Sequence, residues 1–411
     1  MSATHVRVPP SPEAVYGNGT RRWVPPEQTL ARVLPLQERF GITRLARLTG
    51  LDNLGIPVYA AIRPEAKSLV ISLGKGATDS AAKASALRES MEIWHAENIA
   101  LPVRTGTAEQ LRAAGRRPVP VGRLPRVREE AVDPDTVLTW VEGRELHSGR
   151  SRWVPLDVVS LDFAVDGPAA TGNGLLRSSN GLASGNRQDE ALVHAICEVI
   201  ERDAEALWRQ SADYARVDPS TVTDGTCRRL IEDLEAAGVQ VWIWDITSEF
   251  GVPVFGCLLF PDLDHADLRA VGIHDGFGCH RYPEIALSRA LTEAAQNRLT
   301  YISGSRDDLS HDELSRANSH TRAEEIAHEL ARIPATRDFR VHLTPRSTPE
   351  EDLAELLERL AEHGFDEVVA VDLTSPELGL PVVKVVVPGL EGRFGDCVPG
   401  PRALACAGGN N

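Results

Sequence analysis

The chain has no long apolar run. Stretches such as Val382 to Val387 are far shorter than the roughly 20 residues that a membrane-spanning helix needs. Its opening residues, MSATHVRVPPSPEAV, lack the apolar segment of a secretory signal. It also lacks paired cysteines. Cys197, Cys227, Cys257, Cys279, Cys397 and Cys406 form no Cys-x-x-Cys, so neither a zinc site nor a disulfide framework is indicated. None of them has a base partner at a readable spacing, which leaves no covalent nucleophile. An excess of basic charge is missing too. The formal charge of −15 argues against a nucleic-acid partner, which needs a cationic surface. Walker A spacing is absent, since Gly74-Lys75-Gly76 stands alone. These absences point to a cytoplasmic protein with neither a membrane nor a nucleic-acid partner. Its 411 residues are enough for one large core or two to three small ones.

What is present centres on Ser178 to Trp208, SSNGLASGNRQDEALVHAICEVIERDAEALW. A polar glycine loop feeds a helix, an arrangement that suits a phosphate at the helix N-terminus. Glu190, Glu198 and Glu201 fall at about 0°, 80° and 20° around that helix, so they share one face. Clustered carboxylates suit Mg²⁺, whereas a solvated acidic face is what most glutamate runs are.

Two internal repeats decide between these readings. One is a helix–strand–strand unit, Leu230 to Pro261 and again Leu356 to Pro388. Each copy has Gly after the helix (Gly238, Gly364), then Asp-x-Thr-Ser, then Gly-x-Pro-Val. Arg39 to Pro64 is a degenerate third copy with the same Gly-x-Pro-Val. The other repeat is strand, glycine loop, helix. It aligns Ser85, His194 and Arg289; then Glu89, Glu198 and Glu293; then Glu92, Glu201 and Gln296. A surface face has no reason to hold Glu at one register in three helices. The expected architecture is therefore α/β (mixed α+β), a pseudo-threefold arrangement with three helices lining a common site.

Individual residues keep two readings each. Gly74-Lys75-Gly76 is a phosphate contact or a tight turn, and Asn186 a phosphate or metal contact or a helix cap. Arg202 pairs with a nearby Glu or stabilises a transferring phosphoryl group. Arg298 and the run Gly304-Ser305-Arg306-Asp307-Asp308 are similar candidates. His194 and His280 are candidate bases. Residues 1–25 read as a flexible arm, 26–402 as a single domain and 403–411 as an irregular tail. Helices are expected over Pro26–Phe40 and Ser80–Asn98, the latter capped by Asp79. Strands are expected at Leu268–Ile273 and Phe339–Leu343, with one or two short helices within Ser303–Pro334.

Ser-x-x-x-Glu-x-x-Glu at Ser85–Glu92, Glu-Ala at Glu190–Ala191 and Glu-x-x-Glu-Arg at Glu198–Arg202 resemble the YcaO family, ATP-dependent enzymes that activate peptide backbone amides. SSNGLASGN, TEAAQNRLTYISGSRDD and VVVPGL add to the resemblance, which runs from about Leu48 to Arg402. It implies a YcaO-like fold around one nucleotide site for ATP and Mg²⁺. Glu89, Glu92, Glu190, Glu198 and Glu201 would hold Mg²⁺. Lys75, Ser85, Asn186 and Arg202 would contact phosphates or nucleotide, with Arg298 or Arg306 completing the catalytic arginines beside Arg202. In such enzymes a nucleophile adds to a peptide carbonyl, ATP phosphorylates the resulting oxygen, and phosphate leaves.

The ending GPRALACAGGNN lacks the PxPxP tail frequent in azoline-forming members. VVKVVVPGLEGR…VPGPRA is more similar to thioamide-type members that work with a TfuA-like partner. The implied reaction is thioamidation of a ribosomally made precursor peptide or protein. Azoline formation at Cys, Ser or Thr is the runner-up, and a non-catalytic YcaO-like accessory role or an unrelated Mg²⁺-dependent kinase or ligase stands behind both. No leader-binding domain is visible before Val6, so a separate TfuA-like or leader-binding partner protein is expected. The family also implies a homodimer.

Overall fold

Short strands build the framework, and at β5, β9 and β13 glycine lays the strand or its loop directly against a helix. The chain begins with β1 (Val15–Gly17), β2 (Thr20–Arg22), α1 (Pro26–Val33), β3 (Arg44–Arg47), β4 (Val58–Ile62), β5 (Ile71–Lys75) and α2 (Asp79–Glu97). Its middle holds β6 (Val103–Gly106), α3 (Ala108–Ala113), β7 (Leu138–Glu145), β8 (Ser151–Pro155), β9 (Leu182–Ser184), α4 (Gln188–Gln210), β10 (Arg216–Val217), α5 (Gly225–Ala236), β11 (Val239–Asp245) and β12 (Val254–Pro261). It ends with β13 (His274–Cys279), α6 (Pro283–Ser303), α7 (His320–Leu330), β14 (Ala335–Arg337), α8 (Pro349–Glu362), β15 (Val369–Asp372), β16 (Val382–Val386) and α9 (Pro401–Gly408). The structure is a computed structural model that describes residues 15–17, 19–164, 172–211, 216–261, 272–304, 306, 320–330, 332–340 and 348–408.

Beyond the β1–β2 pair, the described strands gather into an antiparallel sheet β3-β4-β5, a sheet in the order β13-β12-β11-β10-β14, and a sheet in the order β6-β7-β15-β16-β9 with β8 also on β7. This is a mixed α/β fold. α4 lies between the two larger sheets. Ala195, Ile196, Val199 and Ile200 share one core with Trp244 and Phe277 on one side and Val383 and Val385 on the other.

The helix–strand–strand repeat is visible in the hydrogen bonds. Gly41, Gly238 and Gly364 all have left-handed backbones, at φ 69°, 78° and 82°, the conformation that ends a helix most easily when no Cβ is present. In each copy a threonine hydroxyl accepts the N–H of the valine in Gly-x-Pro-Val. Thr49 takes Val58 at 2.9 Å, Thr247 takes Val254 at 3.1 Å and Thr374 takes Val382 at 3.1 Å. Asp245 and Asp372 in turn accept from Thr247 and Thr374, which explains the Asp-x-Thr spacing.

The strand–glycine–helix repeat depends on backbone contact. A Cβ on Gly74 would lie 2.0 Å from the Ala86 nitrogen and 2.3 Å from the Ala82 carbonyl oxygen. One on Gly276 would lie 2.2 Å from the Ala294 nitrogen, and one on Gly185 2.5 Å from the Ala191 nitrogen. Glycine on the strand or its loop and alanine on the helix thus bring α2, α4 and α6 against β5, β9 and β13. Any larger pair would lift the helix off its strand.

Several expectations are corrected. The first helix stops at Val33 and continues as a 3₁₀ turn through Leu34–Phe40, where Pro35 cannot extend the ladder. Thr78, not Asp79, caps α2 by accepting the Ala81 N–H. The strand expected at Leu268–Ile273 is His274–Cys279, and residues 262–271 lie outside the described set. The strand expected at Phe339–Leu343 is Ala335–Arg337, with 341–347 likewise outside.

The arm is not loose where it is described. β1 pairs with β2, Arg21 is buried against Asp352 at 3.2 Å, and the Trp23 indole donates to Asp189 at 3.0 Å. Nor is the tail irregular up to Gly408. The Glu391 carboxylate accepts the N–H groups of Gly400, Arg402 and Ala403 at 2.8, 3.0 and 3.0 Å, and so satisfies the orphan donors that start α9. Arg402 then forks onto Asp203 of α4, at 2.9 and 2.8 Å.

Gly74→Ala should destabilise the fold by about 3 kcal/mol or more, because the new atom meets backbone. Gly115→Ala, where φ is 73° and nothing lies within 4 Å, should lose only about 1 kcal/mol. Urea unfolding of the two variants measures the difference, and equal losses would remove the close-packing account.

Candidate functional site

The three repeat helices meet around one cavity of about 730 Å³. All nine register positions border it: Ser85, His194 and Arg289; Glu89, Glu198 and Glu293; Glu92, Glu201 and Gln296. The expectation that the helices line a common site is met. A cavity of this size falls in the range of small-molecule and cofactor sites.

Its wall carries charge of both signs. Glu92 Oε1 accepts the Ser184 N–H at 2.8 Å and the Ser184 hydroxyl at 2.5 Å. Glu201 Oε2 accepts the Cys279 N–H at 2.8 Å. Lys75 pairs with Glu293. Arg202 lies among Glu201, Glu205 and Glu293 at 3.4, 3.3 and 3.8 Å.

Burial and mutual repulsion set the protonation of these groups. Burial, then the charge of Glu92, pushes Glu89 up to about 7. Burial, then the charges of Glu201 and Glu92, pushes Glu198 up to about 8 against the opposing pull of Arg202. Burial also raises Glu92, despite its Ser184 donors. Glu293 goes the other way: burial alone would raise it, but Lys75 and Arg202 hold it at about 2. Glu89, Glu92 and Glu198 are therefore short of positive charge, whereas Glu293 is supplied.

A second part of the wall is cationic. Arg22, Arg88 and Arg289 border the cavity beside His194. Among the described residues, Arg88 Nε and Nη2, Arg289 Nε and His194 Nδ1 have no hydrogen-bond partner. Burial, then the charges of Arg289 and Arg22, lowers His194 well below its ordinary value, so the ring is neutral. Hydrogen-bond donors without acceptors suit phosphate oxygens, and carboxylates short of cations suit Mg²⁺. Among the described residues no three acidic, histidine or cysteine side chains already form a cation cage. Mg²⁺ does not require one, since one or two carboxylates plus phosphate oxygens ordinarily hold it. The residues present fit Mg²⁺ with a polyphosphate.

Lys75, Ser85, Asn186, Arg202, Arg306, Glu89, Glu92, Glu198 and Glu201 all border the cavity. The charge of Arg306 pulls on Glu89; its neighbours Ser305, Asp307 and Asp308 lie outside the described residues. Asn186 is not the helix cap, a position held by Arg187 without a side-chain bond; its amide donates to Glu190 Oε1 at 3.1 Å.

Two assignments change. Glu190 does not border the cavity. Its oxygens are taken by Arg22 at 3.0 Å, Arg88 at 3.3 Å, the Trp23 N–H at 3.1 Å and Asn186, and the two arginines hold its carboxyl below the usual range although burial opposes them. Arg298 also lies away from the cavity, buried beside Asp52 at 3.5 Å. It is nine residues from Arg289, hence about 180° around α6. Arg289 is the α6 arginine that faces inward. It was legible at the Ser85 and His194 register. Arg22 and Arg88 carried no comparable sequence mark. Of the two histidine candidates, His194 faces the cavity and His280 does not, its Nδ1 accepting the Tyr282 N–H at 3.2 Å.

A family model described as YcaO cyclodehydratase, ATP- and Mg²⁺-binding, matches residues 73–391. An uncharacterised protein of the tfuA 3′ region of Rhizobium leguminosarum bv. trifolii is 35% identical over 379 residues, covering 90% of this chain and 88% of that one. An uncharacterised protein of Methanothermobacter thermautotrophicus is 36% identical over 376 residues, covering 90% and 94%. The structure of YcaO from Methanopyrus kandleri bound with AMPPCP and Mg²⁺ superposes with a TM-score of 0.70 at 25% identity, covering 94% of this chain and 99% of that one. A heterocyclase in complex with substrate and cofactor shares the fold at a TM-score of 0.71 and 24% identity; this chain spans 54% of its length.

Mg²⁺ needs ionised carboxylates, and Glu89 and Glu198 hold protons up to about 7 and about 8 in the ligand-free protein. Binding must displace those protons at lower pH and not at higher pH. Apparent Mg²⁺ affinity, measured by calorimetry with an ATP analogue, should therefore rise from pH 6 to 8, by up to roughly tenfold per pH unit for each displaced proton. It should level off above that range, and a flat profile would take both residues out of the cation set.

Proposed function

The chain belongs to the YcaO family, binding ATP and Mg²⁺, and from that premise we propose that it activates a peptide backbone amide and installs a thioamide with a TfuA-like partner. The observation that carries the amide-activating part is the nine-position register closing on one cavity. Support for the thioamide comes from the similarity to a protein of a tfuA 3′ region.

When bound, ATP with Mg²⁺ supplies the phosphoryl group that turns the carbonyl-derived oxygen into a leaving group. The chain's own residues position and neutralise. Glu89, Glu92, Glu198 and Glu201, from two helices, would hold the cation, and Ser184 orients Glu92. Lys75, Ser85 and Asn186 would contact phosphates or nucleotide, joined by Arg289 in place of Arg298. Arg202 and Arg306 would stabilise the charge of the transferring group, an electrostatic task that requires fixed charges and little covalent chemistry. Glu190 acts indirectly, holding Arg22, Arg88 and Asn186 in place. A ribosomally made peptide or protein is the substrate, and a second copy of the chain is the expected oligomeric partner.

Azoline formation is the second reading, favoured by the cyclodehydratase description of the matching family model. The mass of the modified peptide separates the two. Exchange of oxygen for sulfur raises it, and loss of water lowers it.

Glu198→Gln should reduce ATP consumption about a hundredfold or more, since a lost cation ligand removes several kcal/mol of charge stabilisation. An unchanged rate of phosphate release with intact folding would remove Glu198 from the mechanism. Absence of any Mg²⁺-dependent nucleotide binding by the wild type would instead favour a non-catalytic accessory role.

A further inference from the structure

Lys384 is a single charged residue in a strand of valines, and β16 is buried along its whole length. The side chain is 3% exposed. A valine or methionine there would pack without desolvating a charge, and apolar replacement of buried ions is often neutral or stabilising. Stability alone therefore does not explain a lysine at this position.

Its partners suggest what does. Nζ donates to the carbonyl oxygens of Ser178 and Asn180, both at 2.6 Å. These carbonyls belong to the loop that runs into β9, and β9 pairs antiparallel with β16, Leu182 opposite Lys384. At the other end of β9, Ser184 gives both its N–H and its hydroxyl to Glu92 of α2. Gly185 N–H closes the segment onto the Pro381 carbonyl at 3.1 Å. The negative charge of Glu198 on α4 acts on the Lys384 ammonium and partly offsets the cost of its burial. One side chain thus ties down the loop that grips a carboxylate of α2.

We infer that Lys384 is a positioning residue for the cation site, fixing the Ser178–Gly185 segment so that Ser184 holds Glu92. The inference rests on the reading that these carboxylates hold Mg²⁺ with a nucleotide. Lys384 itself does not border the main cavity, so its effect passes through the loop and through charge.

The test uses full-length Lys384→Met, Lys384→Arg and Ser184→Ala. Hydrogen exchange is measured in ligand-free protein, and Mg²⁺ titration with a non-hydrolysable ATP analogue is measured by calorimetry. In Lys384→Met, amides of the segment leading to Gly185 should exchange faster. Mg²⁺ affinity should fall about 10- to 100-fold, the usual loss when an outer-shell partner of a metal ligand is removed. Binding of the analogue without Mg²⁺ should stay as in the wild type. Lys384→Arg, which keeps the charge and the donors, should recover part of the Mg²⁺ affinity. Ser184→Ala should weaken Mg²⁺ in the same direction while leaving exchange at Asn180 unchanged. Wild-type exchange together with wild-type Mg²⁺ affinity in Lys384→Met overturns the proposal. If that variant does not fold, Ser184→Ala decides, and wild-type Mg²⁺ affinity there overturns it equally. A wild type that binds no Mg²⁺-nucleotide would sink the functional reading, whereas the exchange data would still show whether Lys384 holds the loop.

Discussion

Carboxylates that face one another in a half-buried cavity repel, and the rest of this structure is arranged around that repulsion. Glu89, Glu92, Glu198, Glu201 and Glu293 border a single space. Without added cations the protein has two ways to tolerate them. It supplies positive charge to some, as Lys75 and Arg202 do for Glu293. It leaves others protonated, as the upward shifts of Glu89 and Glu198 record. A site built only for stability would use the first way throughout. Carboxylates left to hold protons near neutral pH are the ones a divalent cation can claim.

Such a cluster forms only if three helices are held at fixed distances, and the device is small. Glycines of β5, β13 and the loop after β9 touch the backbones of α2, α6 and α4 with no side chain between. Each helix is thereby fixed in height and rotation over its strand. Residues three and four apart along it then project into the same space, which is why one register serves three helices. Conformational freedom given up by glycine in a strand is offset here by the position it secures for a carboxylate.

Much of this was legible in the sequence because it repeats. Gly-x-Pro-Val and Asp-x-Thr recur, and the bonds from Thr49, Thr247 and Thr374 to the valines show the shared local geometry behind the spelling. Repetition also exposed Glu89 with Glu198 and pointed to Arg289. What stayed hidden has no local signature. Arg22 reaches Glu190 across 168 positions and Lys384 reaches Ser178 across 206, and neither partner can be inferred from residues nearby. Arg298 misled because its neighbourhood resembled a motif while its angle on α6 turned it away. The tail reads as irregular in the sequence because a helix of only eight residues is marginal on its own; the nearby Glu391 and the sequence-distant Asp203 hold α9.

Segments near both ends of the described chain attach to the same helix. The N-terminal strands bring Arg22 and Trp23 to Glu190 in the first turn of α4, and α9 brings Arg402 to Asp203 farther along it. Between those anchors lie Glu198, Glu201 and Arg202. α4 is thus held from both sides by ion pairs whose partners come from outside the repeats. A helix bearing several like charges needs such external restraint, because repulsion at its cavity face works to tilt it outward. Repeats supply the symmetry of the site, and the two non-repeated segments supply the force that keeps its most acidic helix in place.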